Sequence, residues 1–88
     1  MIACHMPDYP IRLEIITPEE TIVSTDVCKV FLPGTIGPFE VLKDHAPIIS
    51  SLEAGTITYE SADGENSLAI RSGFAEVRNN KVEVCAEI

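Results

Sequence analysis

From Ile11 onward, apolar and polar residues alternate in short bursts, and each burst ends within a few residues at Gly, Pro, Asn or Asp. A repeat of two is the period of a half-buried β-strand, and no stretch sustains the 3.6-residue repeat of a helix. Ile11-Arg12-Leu13-Glu14-Ile15 is the cleanest alternation. Thr21 to Thr25 and Val27 to Leu32 are rich in β-branched residues, with Asp26 between them. Further strands are expected over Phe39 to Leu42, Ile48 to Leu52, Thr56 to Glu60, Ser67 to Arg71, Ala75 to Arg78 and Lys81 to Val84. Thr17-Pro18 could open a helix, as a cap followed by proline at the first helical position. The Thr-Ile-Val-Ser-Thr that follows is poor helix material, so a turn is expected instead. Many short strands joined by turns imply an all-β sandwich or barrel.

Two hairpins can be read in detail. Asp63-Gly64 marks a turn between Thr56–Glu60 and Ser67–Arg71. Asn79-Asn80 marks another, because Asn tolerates the positive φ of a type I′ turn. A two-residue turn there pairs Arg78 with Lys81, Val77 with Val82, Glu76 with Glu83, Ala75 with Val84 and Phe74 with Cys85. The valines and Ala75 then face the core. The opposite face sets like charges across from each other, at a cost of a few tenths of a kcal/mol or more that diagonal Glu–Lys and Glu–Arg contacts could offset. Two readings of that face are open. Cover by a neighbouring strand is the simpler, and a patch for a partner protein is the sharper.

At 88 residues there is room for one domain. Pro7 and Pro10 keep the first residues out of regular structure, so 1–10 is expected to be a tail, with Met6 an alternative start, and 11–88 the domain. The start has no basic region followed by an apolar core, which points to work in the cytoplasm. Six Lys and Arg against 14 Asp and Glu give a net charge of −8. That argues against nucleic acid and against an anionic membrane surface. Cys4, Cys28 and Cys85 lack short spacing, which disfavours a disulfide framework and a zinc site and leaves buried or idle thiols as the expectation.

The chain is poor in catalytic constellations. Its histidines are His5 in the tail and His45 in a turn. A small hydrolase using His45, with Ser50 and Ser51 close in sequence, is disfavoured because the adjacent Asp44 seldom aligns as the orienter of its neighbour. Gly34-Thr35-Ile36-Gly37 has neither the lysine nor the following helix of a phosphate loop. No cofactor or metal is expected. Function should lie in binding another protein; a stand-alone β-sandwich binding module is the alternative to the reading that follows. The loop Pro33 to Phe39 carries Ile36 and Phe39 among glycines and prolines, either as an exposed docking tip or folded inward as a cap. Asp44-His45-Ala46-Pro47 reads as a rigid turn with His45 hydrogen-bonded to backbone.

Several motifs, in order, resemble one family. They are Leu13-Glu14-Ile15-Ile16-Thr17-Pro18-Glu19, then Gly37-Pro38-Phe39-Glu40-Val41-Leu42-Lys43-Asp44-His45-Ala46-Pro47, then Leu52-Glu53-Ala54-Gly55-Thr56-Ile57, then Ser72-Gly73-Phe74-Ala75-Glu76-Val77, then Asn80-Lys81-Val82-Glu83-Val84. Together they are similar to the N-terminal domain of the ATP synthase epsilon subunit. A glycine usual near Glu40 and a proline usual near Lys43 are missing here. The resemblance implies a flattened β-sandwich of about ten short strands. It implies a non-catalytic rotor component of the central stalk, without cofactor, that links the gamma subunit to the membrane c-ring and couples proton flow to ATP synthesis. The location implied is the cytoplasmic face of the bacterial inner membrane, reached only through the complex. Position by position, the c-ring contact falls on Gly34, Thr35, Ile36, Gly37, Pro38, Phe39 and Glu40, and the gamma contact on Thr17 and His45. Family members commonly continue into a helical hairpin that restrains ATP hydrolysis. This sequence stops where that hairpin would begin, so the restraint is not expected of these residues.

Overall fold

A computed structural model describes residues 8–88. These residues form eight strands: β1 (Ile11–Ile16), β2 (Thr21–Leu32), β3 (Phe39–Val41), β4 (Ile48–Leu52), β5 (Gly55–Ser61), β6 (Gly64–Ile70), β7 (Ser72–Arg78) and β8 (Lys81–Glu87). They form one mixed, hydrogen-bonded sheet in the order β4-β7-β8-β1-β2-β5-β6, with β3 also on β2. All pairs are antiparallel except β1 with β8.

The long β2 makes a two-layered sandwich out of this single sheet. Its first half, Thr21 to Val27, pairs with β1. Its second half lies between β3 and β5. A register shift between Val27 and Lys29 places Cys28 in a bulge. Bulges bend the strand and re-aim its side chains. Val27 is buried on one side of this bulge, and Val30 and Leu32 on the other. The inward parity therefore switches from odd to even, and one strand serves both layers. β1 contributes Ile11, Leu13 and Ile15, β8 Val82, Val84 and Ala86, β7 Ala75 and Val77, and β5 Ile57, all to one buried cluster. The alternation in the sequence thus becomes the inner faces of two layers, which bury their apolar residues against each other.

The described residues form eight strands where about ten were expected. Thr21–Thr25 and Val27–Leu32 are one strand, because Asp26 does not break it: its carboxylate meets Arg12 Nη1 at 3.3 Å. The Asn79-Asn80 hairpin has the expected register throughout, with φ of 52° and 60° at the two asparagines. The other hairpin turns one residue earlier than expected, at Ala62-Asp63, and Gly64 pairs with Ser61 at φ 109°. Thr17-Pro18-Glu19-Glu20 is a turn. Thr17 Oγ1 accepts from the amides of Glu19 and Glu20 at 3.3 and 3.2 Å, and Thr17 N donates to Glu20 O at 2.8 Å.

Two expectations are corrected. Cys28 is not an idle thiol but disulfide-bonded, whereas Cys85 is free and exposed. Among the described residues, no neighbouring strand covers the outer face of the β7–β8 hairpin. β4 and β1 extend the sheet sideways instead and leave Phe74 half exposed. The expectations placed on Cys4, His5 and Met6 lie outside the described residues.

Candidate interaction surfaces

The loop after β2 is short of regular structure yet firmly anchored. Gly37 N donates to Gly34 O at 3.1 Å, and Thr35 N donates to Ser51 O at 3.0 Å. Thr35 and Ser51 share a hydroxyl–hydroxyl bond of 2.7 Å, and Glu53 N donates to Pro33 O at 2.9 Å. Gly34 also bridges Leu52. A Cβ on Gly34 would stand 2.6 Å from Gly37 O and 3.0 Å from the Phe39 ring. The loop therefore needs glycine where its backbone closes on itself.

This anchoring splits the two apolar residues of the loop. Ile36 is fully exposed at the tip, while Phe39 is half-buried and packs against the core. One residue is thus a projecting apolar tip and the other an inward cap. Thr35, Gly37, Pro38 and Glu40 are exposed around them, and Gly34 is buried.

Thr17 and His45 lie far apart. Thr17 follows the C-terminal end of β1, which pairs in parallel with the end of β8 through Ile16 and Cys85. His45 lies beside Asn79 and Asn80, where β8 begins. At about 3.3 Å per residue, the β1–β8 pair separates the two ends by roughly 20 Å. Leu52 pairs with Gly73, and Gly73 with Ala86, so the anchored loop shares Thr17's pole. His45 is a rigid turn residue, as expected. Its N donates to Leu42 O at 3.1 Å, and its Nδ1 donates to Ala46 O at 2.7 Å. The nearby serines are committed elsewhere: Ser50 Oγ donates to Ser51 O, and Ser51 Oγ pairs with Thr35.

A striped outer face was only half visible in the sequence. Across β7, β8 and β1 the register aligns Phe74, Cys85 and Ile16 in one row. Glu76, Glu83 and Glu14 form the next row, and Arg78, Lys81 and Arg12 the third. Within these rows the ionic contacts run along the strands rather than diagonally, from Lys81 to Glu83 at 3.3 Å and from Arg12 to Glu14 at 3.7 Å, while Arg12 also reaches across to Asp26 on β2 at 3.3 Å. The hairpin pairs were legible, but the third member of each row comes from the parallel β1–β8 pairing.

The architecture is that of a β-sandwich domain whose surface features are loops and a striped face. Residues 10–88 match the family model described as the ATP synthase delta/epsilon chain, beta-sandwich domain, and the chain belongs to that family. It is 51% identical over 78 residues to the ATP synthase epsilon chain of Campylobacter lari, covering 88% of this chain and 60% of that one. To the epsilon chain of Pelotomaculum thermopropionicum it is 42% identical over 81 residues, covering 92% and 60%. To that of Desulfosudis oleivorans it is 41% identical over 78 residues, covering 88% and 59%. The chain thus spans about three-fifths of the length of these relatives. The fold is shared with a chain of the Euglena gracilis mitochondrial ATP synthase OSCP/F1/c-ring assembly, at a TM-score of 0.81 and 21% identity, covering 98% of this chain and 56% of that one. A chain of the Tetrahymena thermophila mitochondrial ATP synthase central stalk and c-ring gives 0.75 and 12%, covering 90% and 64%.

Proposed function

We propose that the chain acts as a non-catalytic central-stalk subunit of a proton-translocating ATP synthase, linking the gamma subunit to the c-ring at the cytoplasmic face of the bacterial inner membrane. The observation that carries this reading is the family match over residues 10–88. In this reading 11–88 is the working domain and 1–10 a tail. The loop Gly34 to Glu40 meets the c-ring, with Ile36 as its apolar contact. Its support is mechanical: a fully exposed isoleucine on a loop pinned to β4 can transmit force without losing position. Thr17 and His45 meet gamma. Because they occupy opposite poles, a partner touching both runs the length of the β1–β8 pair. The net charge of −8 suits a basic partner surface and speeds encounter.

The test is association. Mixed with purified gamma subunit at micromolar concentration, the chain is expected to co-elute as a 1:1 complex on size exclusion. Separate elution of the two overturns the proposal.

A further inference from the structure

β6 pairs with β5 on one side, and among the described residues no strand pairs with its other side. Around a two-residue turn the flanking residues, here Ser61 and Gly64, exchange both backbone bonds, and the exchange recurs at every second pair. Asn66 and Leu68 therefore turn their N–H and C=O groups toward Tyr59 and Ile57. Glu65, Ser67 and Ala69 turn theirs toward the open edge, and their side chains are exposed as well. The edge strand at the other end of the sheet, β4, is treated differently. The loop after β2 closes it, through Thr35 N to Ser51 O at 3.0 Å and Glu53 N to Pro33 O at 2.9 Å.

Open edges are ordinarily blunted by lysine, proline or a bulge. β6, Gly-Glu-Asn-Ser-Leu-Ala-Ile, contains neither lysine nor proline, and its register with β5 is unbroken. The charges at its two ends differ in sign. Asp63 and Glu65 stand at the start, and Arg71 stands just past the end. Arg71 is exposed and takes part in none of the ion pairs among the described residues.

We propose that the open edge of β6 is covered, in the free chain, by the same edge of a second copy, the two strands lying antiparallel about a two-fold axis at Ser67. The edge is self-complementary in one register. With Ser67 facing Ser67 of the second copy, Glu65 faces Ala69 of the other chain, and each facing pair exchanges two N–H···O bonds. A shift of two residues either way leaves one of the three open residues unpaired, because Arg71 N is already committed to Glu87 O at 2.7 Å. The same register sets Arg71 directly across from Asp63 and diagonal to Glu65, within reach of a long side chain. The two-fold repeats that contact, so opposite charges lock both ends. On the inner face each Leu68 lies diagonal to the other. The contact is one strand wide, and both chains carry a net charge of −8, so the dimer is weak and reversible. It belongs to the free chain and does not depend on the stalk reading.

The test is a concentration series on the isolated chain, read by sedimentation and by amide NMR. The chain is expected to pass from monomer to dimer on approaching about 1 mM, with the amide shifts of Glu65, Ser67 and Ala69 moving together and that of Thr35 staying fixed. A monomer throughout overturns the inference, and so does a dimer that leaves those three amides unmoved. Ser67→Lys sets two ammonium groups across the axis while lowering the net repulsion. It should weaken association at least tenfold, with the melting temperature of the dilute protein unchanged. Undiminished association of that variant overturns the edge pairing. Arg71→Asp should weaken association by a similar factor, and Asp63→Arg/Arg71→Asp should recover most of the loss. No recovery by the double variant overturns the register centred on Ser67. Failure to bind gamma would leave every one of these outcomes as it stands.

Discussion

Asp44 and Asn80, 36 residues apart, hold each other by two reciprocal hydrogen bonds. Asp44 N donates to Asn80 Oδ1 at 2.6 Å, and Asn80 Nδ2 donates to Asp44 Oδ1 at 3.1 Å. Both residues have positive φ, 62° and 60°. The clasp ties the β3–β4 connection to the β7–β8 turn, and Asn80 O accepts from Arg12 N at 2.9 Å, which starts the β1–β8 pairing. Three segments distant in sequence thus meet at one asparagine.

The clasp and the turn can be separated by substitution. Asn80→Gly keeps a residue suited to positive φ and removes only the side-chain bonds, so a loss of about 1 kcal/mol is expected. Asn80→Ala adds the left-handed cost of roughly 1–2 kcal/mol. In urea melts the alanine variant should therefore be the less stable of the two. Equal stability of the two variants would show that positive φ carries no cost at this turn.

The two apolar residues of the β2–β3 loop should respond oppositely. Ile36 touches little, so Ile36→Asp should change stability by no more than about 0.5 kcal/mol. Phe39 packs on the core, and Phe39→Ala should cost roughly 3 kcal/mol. Association with the c-ring, by the stalk reading, should fall with Ile36→Asp although the domain stays folded. A marked drop in melting temperature for Ile36→Asp would place that residue in the core instead.

Val82 is fully buried between Leu13 and Val77 in the sheet register. Val82→Asp introduces an unpaired buried carboxylate and should cost more than about 4 kcal/mol. That is comparable with the whole stability of a small domain. The variant is expected to be unfolded by circular dichroism. A soluble, folded Val82→Asp protein would mean that this side of β8 is open to water.

The facing of Val82 was legible because a two-residue Asn-Asn turn puts Ala75, Val77, Val82 and Val84 on one face of the hairpin and the charged pairs on the other. Other features were hidden for identifiable reasons. Asp26 resembles a break between two strands, yet its charge is met by Arg12 on the paired strand and β2 runs on. The bulge at Cys28 switches the inward parity, so a strict alternation cannot follow β2 through both layers. The directions of Ile36 and Phe39 have no periodic signal in a loop; they depend on Gly34 closing on Gly37 and the Phe39 ring. The striped face needed the parallel β1–β8 register, a pairing between opposite ends of the sequence that no local motif encodes. Of the contact residues, the loop around Ile36 was visible as an apolar tip, whereas Thr17 and His45 rest on the resemblance alone, since each spends its own side chain on closing a turn.

Gly73 offers the sharpest test of how closely the strands at Thr17's pole are packed. It pairs with Ala86 on β8 and with Leu52 on β4, so it sits in the middle of three strands. A Cβ there would stand 2.8 Å from Cys85 O, 3.4 Å from Ala86 Cα and 3.5 Å from Leu52 Cδ1. Two of those atoms are backbone held by the ladder and cannot rotate away. Gly73→Ala should therefore push β7 from β8 and cost roughly 1–3 kcal/mol, as overpacking does. Because Leu52 also bridges Gly34, the disturbance should reach the loop that presents Ile36. Amide exchange is expected to quicken at Thr35, whose N–H bonds Ser51 O, while Arg12 at the opposite pole keeps its protection. Uniform quickening across both poles would instead indicate global destabilisation, and unchanged exchange at Thr35 would show that the loop is held independently of β7.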